Sequence, residues 1–344
     1  MPKIFVIGGS AGSIDALKII LAGLPPDFPA ALLIVTHIGS HESKLPQLLE
    51  RVSALPVRHA RQGEPILAGQ VLLAPPDLHL GVVRDADRLF AQLSRGPKEN
   101  HSRPAIDPLF RSAAVACGAD AVAVVLSGFL DDGTVGLQAV KARGGVAVVQ
   151  DPAQAEAPDM PASAIRHGAV DFVLGVEAIA PLLVKLAKGA VRTPHAGTER
   201  IAPELPEWIA IEDRVFNKGA GMEELDKIGT RVALTCPECG GAIWQIHDAQ
   251  PLRYRCHTGH AFTANVLATL QRSELEEALW SAVRALHEQE QLFRQLHRAA
   301  QGRRAGAPDA AGLPGEYLAK AEQAAGHAEL LRDLIASRMS VAPG

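Results

Sequence analysis

The constraint that weighs most on the fold is a repeating pattern over residues 1–188. Short apolar runs at 3–7, 31–37, 70–74, 121–127, 145–149 and 170–174 alternate with helix-like segments at 13–22, 43–53, 107–116, 134–142, 158–167 and 177–187. Runs such as Ala121-Val122-Ala123-Val124-Val125-Leu126 show no polar alternation, as expected of strands covered on both faces. The alternation predicts an α/β fold with a mainly parallel, doubly wound sheet. Between 57 and 95, a Pro-Pro-Asp turn and several glycines separate short strands, and a hairpin is expected to interrupt the pattern there.

In such a sheet the chemistry gathers where strands end. The first run, Lys3-Ile4-Phe5-Val6-Ile7, breaks into Gly8-Gly9-Ser10-Ala11-Gly12, and a helix follows from Ser13. Ser10 therefore sits in a tight strand-to-helix turn of the G-x-S-x-G kind. That turn lifts a hydroxyl to the sheet edge and aims backbone N–H groups beside it. A phosphate-binding turn is the rival reading. The dinucleotide fingerprint, however, wants glycines at 8, 10 and 13, and Ser10 and Ser13 stand at two of these.

A serine hydroxyl needs a base, and the base needs a carboxylate to orient it. The second run ends at His37, and the fourth ends in Ser127-Gly128-Phe129-Leu130-Asp131-Asp132. Both ends are expected on the same edge as Ser10. The plainer readings are a strand-end histidine bonded to backbone and an acidic cap on the helix after Gly133. The order Ser10, His37, Asp132 departs from the Ser, acid, His order of α/β-hydrolases, so a different sheet is implied.

The cysteines are Cys117, Cys236, Cys239 and Cys256. Cys117 reads as a small buried helix residue. The others, with nearby histidines, spell Cys236-Pro237-Glu238-Cys239-Gly240-Gly241 and Cys256-His257-Thr258-Gly259-His260. This spacing suits a closed tetrahedral zinc site with a structural role. His260 is favoured over His257 as the fourth ligand, because adjacent Cys256 and His257 chelate one ion poorly. A redox Cys-x-x-Cys should open a helix, which Gly240-Gly241 opposes.

The domain plan that follows is an α/β domain at 1–188, a Pro- and Gly-rich linker at 189–230, a zinc-ribbon-like segment at 231–262 and a helical hairpin at 263–338. Within the linker, Trp208-Ile209-Ala210-Ile211 starts like a strand. The hairpin rests on two stripes: Leu275, Leu279, Ala282, Leu286, Phe293 and Leu296, then Tyr317, Ala321, Ala324, Ala328, Leu331 and Ile335. A dimer seam or a docking site for another helix is the sharper alternative. The net charge of -4 gives no polyanion signal, so nucleic acid is not an expected partner. No apolar run is long enough to enter a membrane as a span and no signal peptide is evident, so a cytoplasmic protein is expected.

Several ordered blocks carry a resemblance: Ile7-Gly8-Gly9-Ser10-Ala11-Gly12, Thr36-His37-Ile38, Leu73 to Leu80, Arg103 to Ala114, Leu126 to Gly133, and Asp159-Met160-Pro161. Over residues 1–187 the chain resembles the catalytic domain of the chemotaxis protein-glutamate methylesterase (CheB) family. The resemblance implies a nucleophile at Ser10, a base at His37, an acid at Asp132, and oxyanion-binding N–H groups at Ala11 and Phe129. The family usually has Met at the latter position, and it does not require an acid at Asp131. It further implies a carboxylic ester hydrolase that needs no catalytic cofactor and acts on methylated, helical chemoreceptor-type proteins, with glutamine deamidation by the same route. The family's usual receiver domain has no counterpart ahead of the first strand, so phosphorylation control within the chain is not expected. A signalling or docking module without enzymatic activity is the alternative reading, and it has no need for all of Ser10, His37 and Asp132.

Overall fold

The computed structural model describes residues 3–37, 39, 43–191, 204–218, 222–301 and 313–339. Ile38, most of the linker composition at 192–203 and residues 302–312 between the C-terminal stripes lie outside them. The chain divides into two compact units, residues 1–267 and 268–344.

The first unit begins with β1 (Ile4–Gly9), α1 (Ser13–Ala22), β2 (Ala31–Thr36), α2 (Leu45–Glu50), β3 (Val57–His59) and β4 (Val71–Leu73). There follow β5 (His79–Asp85), β6 (Arg88–Ser94), α3 (Ile106–Cys117), β7 (Ala121–Val125), α4 (Thr134–Ala142), β8 (Val146–Gln150), α5 (Asp159–His167), β9 (Phe172–Leu174) and α6 (Val176–Ala187). A seven-stranded sheet runs in the order β3-β4-β2-β1-β7-β8-β9. All of its pairings are parallel. The expected hairpin is β5–β6, an antiparallel pair outside this sheet.

Strand periodicity divides β1 between two cores. Ile4 and Val6 pack with α3, α4 and α5 residues such as Phe110, Leu137 and Met160. Phe5 and Ile7 pack with Leu17 and Ile20 of α1 and Ile179 and Leu183 of α6. Strand β1 runs on to Gly9, past the expected end at residue 7. Its last residues must be glycine because their backbone is closely approached: a Cβ on Gly8 would overlap Ile106, and one on Gly9 would overlap Ser13.

Trp208–Ile211, which starts like a strand in sequence, forms no strand. The structure instead forms α7 (Glu207–Lys218), followed by α8 (Met222–Ile228). Ile211 and Val215 lie on one helical face and pack with Leu225, Ile228, Trp244 and Ile246. Four apolar residues in a row are too short a window to separate the two periods. Beyond α8, β10 (Gly229–Thr235), β11 (Ala242–Ile246), β12 (Arg253–Cys256) and β13 (Ala261–Thr263) form an antiparallel four-stranded ribbon.

Helix α9 (Ala264–Gln301) follows β13, and with α10 (Leu313–Met339) it forms the C-terminal helical hairpin. In the second unit Phe293 stacks on Tyr317 with ring centroids 6.4 Å apart. Ala321, Ala324, Ala328 and Ile335 of the expected α10 stripe are buried. Leu275 and Leu296, at the ends of the α9 stripe, remain exposed. No described helix is long and apolar enough to cross a membrane.

Candidate active site

The sheet places Ser10 and His37 side by side. Strands β1 and β2 are in parallel register up to Gly9 opposite Thr36. The next residue on each strand is Ser10 and His37, and the His37 N–H still donates to the Gly9 carbonyl at 3.4 Å. On the other flank of β1, the Ser10 N–H donates to the Ser127 carbonyl at 2.8 Å, just past the end of β7. Three strand ends therefore meet at Ser10, where the chain order of the sheet reverses direction around β1.

The turn itself is tied down on several sides. Gly12 adopts φ 73, a left-handed conformation that suits glycine. The Ser127 hydroxyl donates to the Ala11 carbonyl at 2.7 Å and accepts the Ala157 N–H at 2.9 Å. The Ser13 hydroxyl donates to the Ser10 carbonyl at 2.6 Å. Among the described residues, the N–H groups of Ala11 and Phe129 have no acceptor, and no hydrogen bond joins the Ser10 hydroxyl to His37. Catalytic contacts of this kind often tighten only when substrate arrives. Phe129 is 62% exposed and Leu130 is also exposed, so the rim beside the turn is apolar and accessible.

His37 Nε2 lies 2.7 Å from Asp132 Oδ2. The Asp132 side chain is only 3% exposed, against 20% for His37. Asp132 is not the N-cap of the helix that follows it: that position is Gly133. Its carboxylate instead accepts the N–H groups of Ile106 (2.7 Å) and Asp107 (3.2 Å), the first residues of α3. A helix N-terminus favours negative charge. It also accepts the Asn100 side-chain amide at 3.0 Å and the Gly133 N–H at 3.0 Å. Burial alone would raise the Asp132 pKa. The bonds and charge of His37, then those of Ile106 and Asn100, outweigh burial and hold it below the usual carboxylate value. Asp107 behaves oppositely. Burial first, and then the Asp132 charge, push its pKa well up.

Asn100 went unremarked in the sequence, as did any role for Asp107. Asn100 has φ 51, a backbone state asparagine tolerates better than most residues. Its amide donates to both Asp132 and Asp107 at 3.0 Å, and its carbonyl accepts the Thr263 N–H at 3.1 Å. Asp131 faces elsewhere. It accepts the Thr263 hydroxyl at 2.6 Å and the Asn265 amide at 3.1 Å.

The ribbon is docked through buried charge as well. Glu99 is bound at both oxygens by Arg111, at 2.6 and 3.1 Å, and by Arg255 of β12 at 3.2 Å. Glu212 of α7 pairs with Arg253 at 2.6 Å and with Arg111 at 3.5 Å. Burial pushes the Glu99 pKa up, but the Arg111 and Arg255 charges more than reverse this and bring it from 4.5 down to about 2.

Cys236, Cys239, Cys256 and His260 come together with their donor atoms within 4.8 Å of one another. The Cys239–Cys256 sulfurs are 3.9 Å apart, and His260 Nδ1 lies 3.7 Å from Cys236 Sγ and 3.5 Å from Cys256 Sγ. A tetrahedron of Zn–S bonds near ~2.3 Å has edges of ~3.8 Å, so this donor set fits a structural zinc ion. His257 stands outside the cluster and packs against Gly241. Cys117 is buried, and burial pushes its thiol up to about 12.

Comparison with known proteins agrees with this architecture. The family described as CheB methylesterase matches residues 5–183. A Leptospira interrogans protein, named provisionally as a protein-glutamate methylesterase/protein-glutamine glutaminase, is 42% identical over 182 residues. That match covers 53% of this chain and 93% of the relative. A Xanthomonas campestris protein-glutamate methylesterase/protein-glutamine glutaminase is 37% identical over 188 residues, covering 55% of this chain and 52% of the relative. The chain thus spans about half the length of that second relative. The crystal structure of the Thermotoga maritima CheB methylesterase catalytic domain superposes with a TM-score of 0.53 at 35% identity, covering 54% of this chain and 99% of that one.

Proposed function

Because the chain belongs to the CheB methylesterase family, we propose that it is a serine esterase that hydrolyses glutamate methyl esters on chemoreceptor-type helical proteins. Ser10 Oγ attacks the ester carbonyl, and His37 takes the hydroxyl proton on the ring nitrogen that Asp132 does not hold. The free N–H groups of Ala11 and Phe129 stabilise the oxyanion; one such donor is worth ~3 kcal/mol. His37 returns the proton to departing methanol. It then activates water to release the glutamate carboxylate and restore Ser10. Asp132 stays ionised throughout and stabilises the imidazolium. Glutamine deamidation follows the same course, with ammonia leaving.

The observation that carries this reading is the His37–Asp132 contact at 2.7 Å, one register step from the Ser10 turn. A signalling module without chemistry has no use for a buried carboxylate clamped by a helix N-terminus and aimed at a histidine.

In the same reading, residues 1–188 form the catalytic domain and the reaction takes place in the cytoplasm. Cys236, Cys239, Cys256 and His260 hold a structural zinc ion that takes no part in the ester chemistry. Methanol release from methylated receptor by wild type and by Ser10→Ala tests the proposal. Release is expected to fall to background in the variant, and equal release from both would end the nucleophile assignment.

A further inference from the structure

Residues 98–101 stand between the ribbon and the Asp132 carboxylate, and they are attached to both. On the ribbon side the segment pairs with β13 through its backbone. The Asn100 N–H donates to the Ala261 carbonyl at 2.8 Å, and the Ala261 N–H donates to the Lys98 carbonyl at 3.3 Å. Glu99 is gripped by Arg255 of β12. Glu238, between the ligands Cys236 and Cys239, pairs with Lys98 at 3.3 Å and His101 at 2.5 Å. On the other side Asn100 spans the gap. It receives the Thr263 N–H on its carbonyl and gives its amide protons to Asp132 and Asp107.

The Cys/His cluster lies at the base of this assembly. Cys256 ends β12 and His260 directly precedes β13, so these ligands close the turn whose next residues hold Asn100. The route from cluster to carboxylate runs through hydrogen bonds and ion pairs of 2.5 to 3.3 Å.

We propose that Asn100 is a positioning residue for the esterase reaction, and that the ribbon, through β13 and Glu238, holds it against Asp132. This rests on the esterase reading above. Asp132 is on a loop rather than on a strand, and Asp107 shares the Asn100 amide with it. An amide fixed from outside the α/β domain keeps Asp132 turned toward His37, and with it the ring orientation that general-base catalysis requires. The ribbon then acts on turnover without touching the substrate.

The test uses the full chain labelled with 15N-histidine. The ring N–H signal of His37 facing Asp132 is identified by its loss in His37→Gln. Asn100→Gly keeps the left-handed backbone and removes the amide. Cys256→Ser leaves Asn100 in place and opens the turn below it. Both variants are expected to shift or broaden the His37 signal. Both should lower kcat, by about 10- to 100-fold for Asn100→Gly, with KM within about twofold. The double variant should be no slower than Asn100→Gly alone, because both changes act through one contact. An unchanged His37 signal in folded Asn100→Gly, or losses that multiply in the double variant, would overturn the proposal. Should Asn100→Gly fail to fold, the Cys256→Ser signal decides alone: a shift supports the link and an unchanged signal refutes it. If wild type releases no methanol, the esterase reading fails, while the His37 signal still decides whether the ribbon positions Asp132.

Discussion

Glu99 offers a quantitative test of how the ribbon and the α/β domain hold together. Its side chain is 4% exposed and faces Arg111 and Arg255, while Glu212 and Arg253 complete the cluster. A pKa of about 2 in place of 4.5 means that folding favours the ionised carboxylate by ~3 kcal/mol. Glu99→Gln keeps the shape and removes the charge. It leaves Arg111, Arg253 and Arg255 around one remaining carboxylate, so the expected destabilisation is ~3 to 5 kcal/mol, the range for breaking one side of a buried ion pair. Urea unfolding reads this directly, because Trp208 and Trp244 lie on α7 and the ribbon and Arg253 stacks over the Trp208 ring at 4.5 Å. The pH arm has a definite sign. Because the folded pKa is depressed, the Glu99 contribution is complete above about pH 4.5 and is lost as the pH falls toward about 2. The variant should therefore show a shallower loss of stability in that window than wild type. A destabilisation below ~1 kcal/mol, or identical pH dependence in the two proteins, would refute the assignment of Glu99 as an ionised anchor.

Further outcomes follow from the geometry of the site. Asp132→Asn is expected to lower kcat by about 10³- to 10⁴-fold in a methanol-release assay, since a neutral amide no longer fixes the His37 tautomer; near-normal turnover would remove Asp132 from the mechanism. Gly128→Ala should abolish activity while circular dichroism stays native, because the added Cβ would overlap Met160 Sδ and approach Ser10 Cβ to 2.9 Å; full activity would show that the turn is softer than its packing. Elemental analysis of carefully reduced protein should find about one zinc ion per chain, and Cys239→Ser should lower that content; metal-free wild type would remove the zinc assignment.

Much of the fold was legible because it is local. The apolar runs at 31–37 and 121–127 and the helices after them needed only periodicity, and the Gly8–Gly12 turn announced itself by composition. Ser10 and His37 were legible because register places consecutive strand ends together. Asn100 was not, because its partners Asp132 and Thr263 are 32 and 163 residues away in the chain. The acidic pair Asp131–Asp132 reads locally as a cap for the helix after it, yet the Asp131 partner Thr263 lies 132 residues downstream. Short apolar stretches also misled: Trp208–Ile211 becomes a helix because Ile211 and Val215 share a core with Trp244 that the local sequence does not reveal.

The ladder between β1 and β2 acts as a ruler. Neighbouring strands in a sheet lie ~4.8 Å apart, so the spacing of Ser10 and His37 is inherited from backbone pairing and not from the loops that join them. Residues inserted between 10 and 37, or after 37, leave that spacing intact unless the register slips. Asp132 has no such ruler, since its distance to His37 is set by whatever clamps it from the side. Ser10 and His37 are thus placed by the sheet, and Asp132 by the backbone N–H groups of α3 and the Asn100 amide.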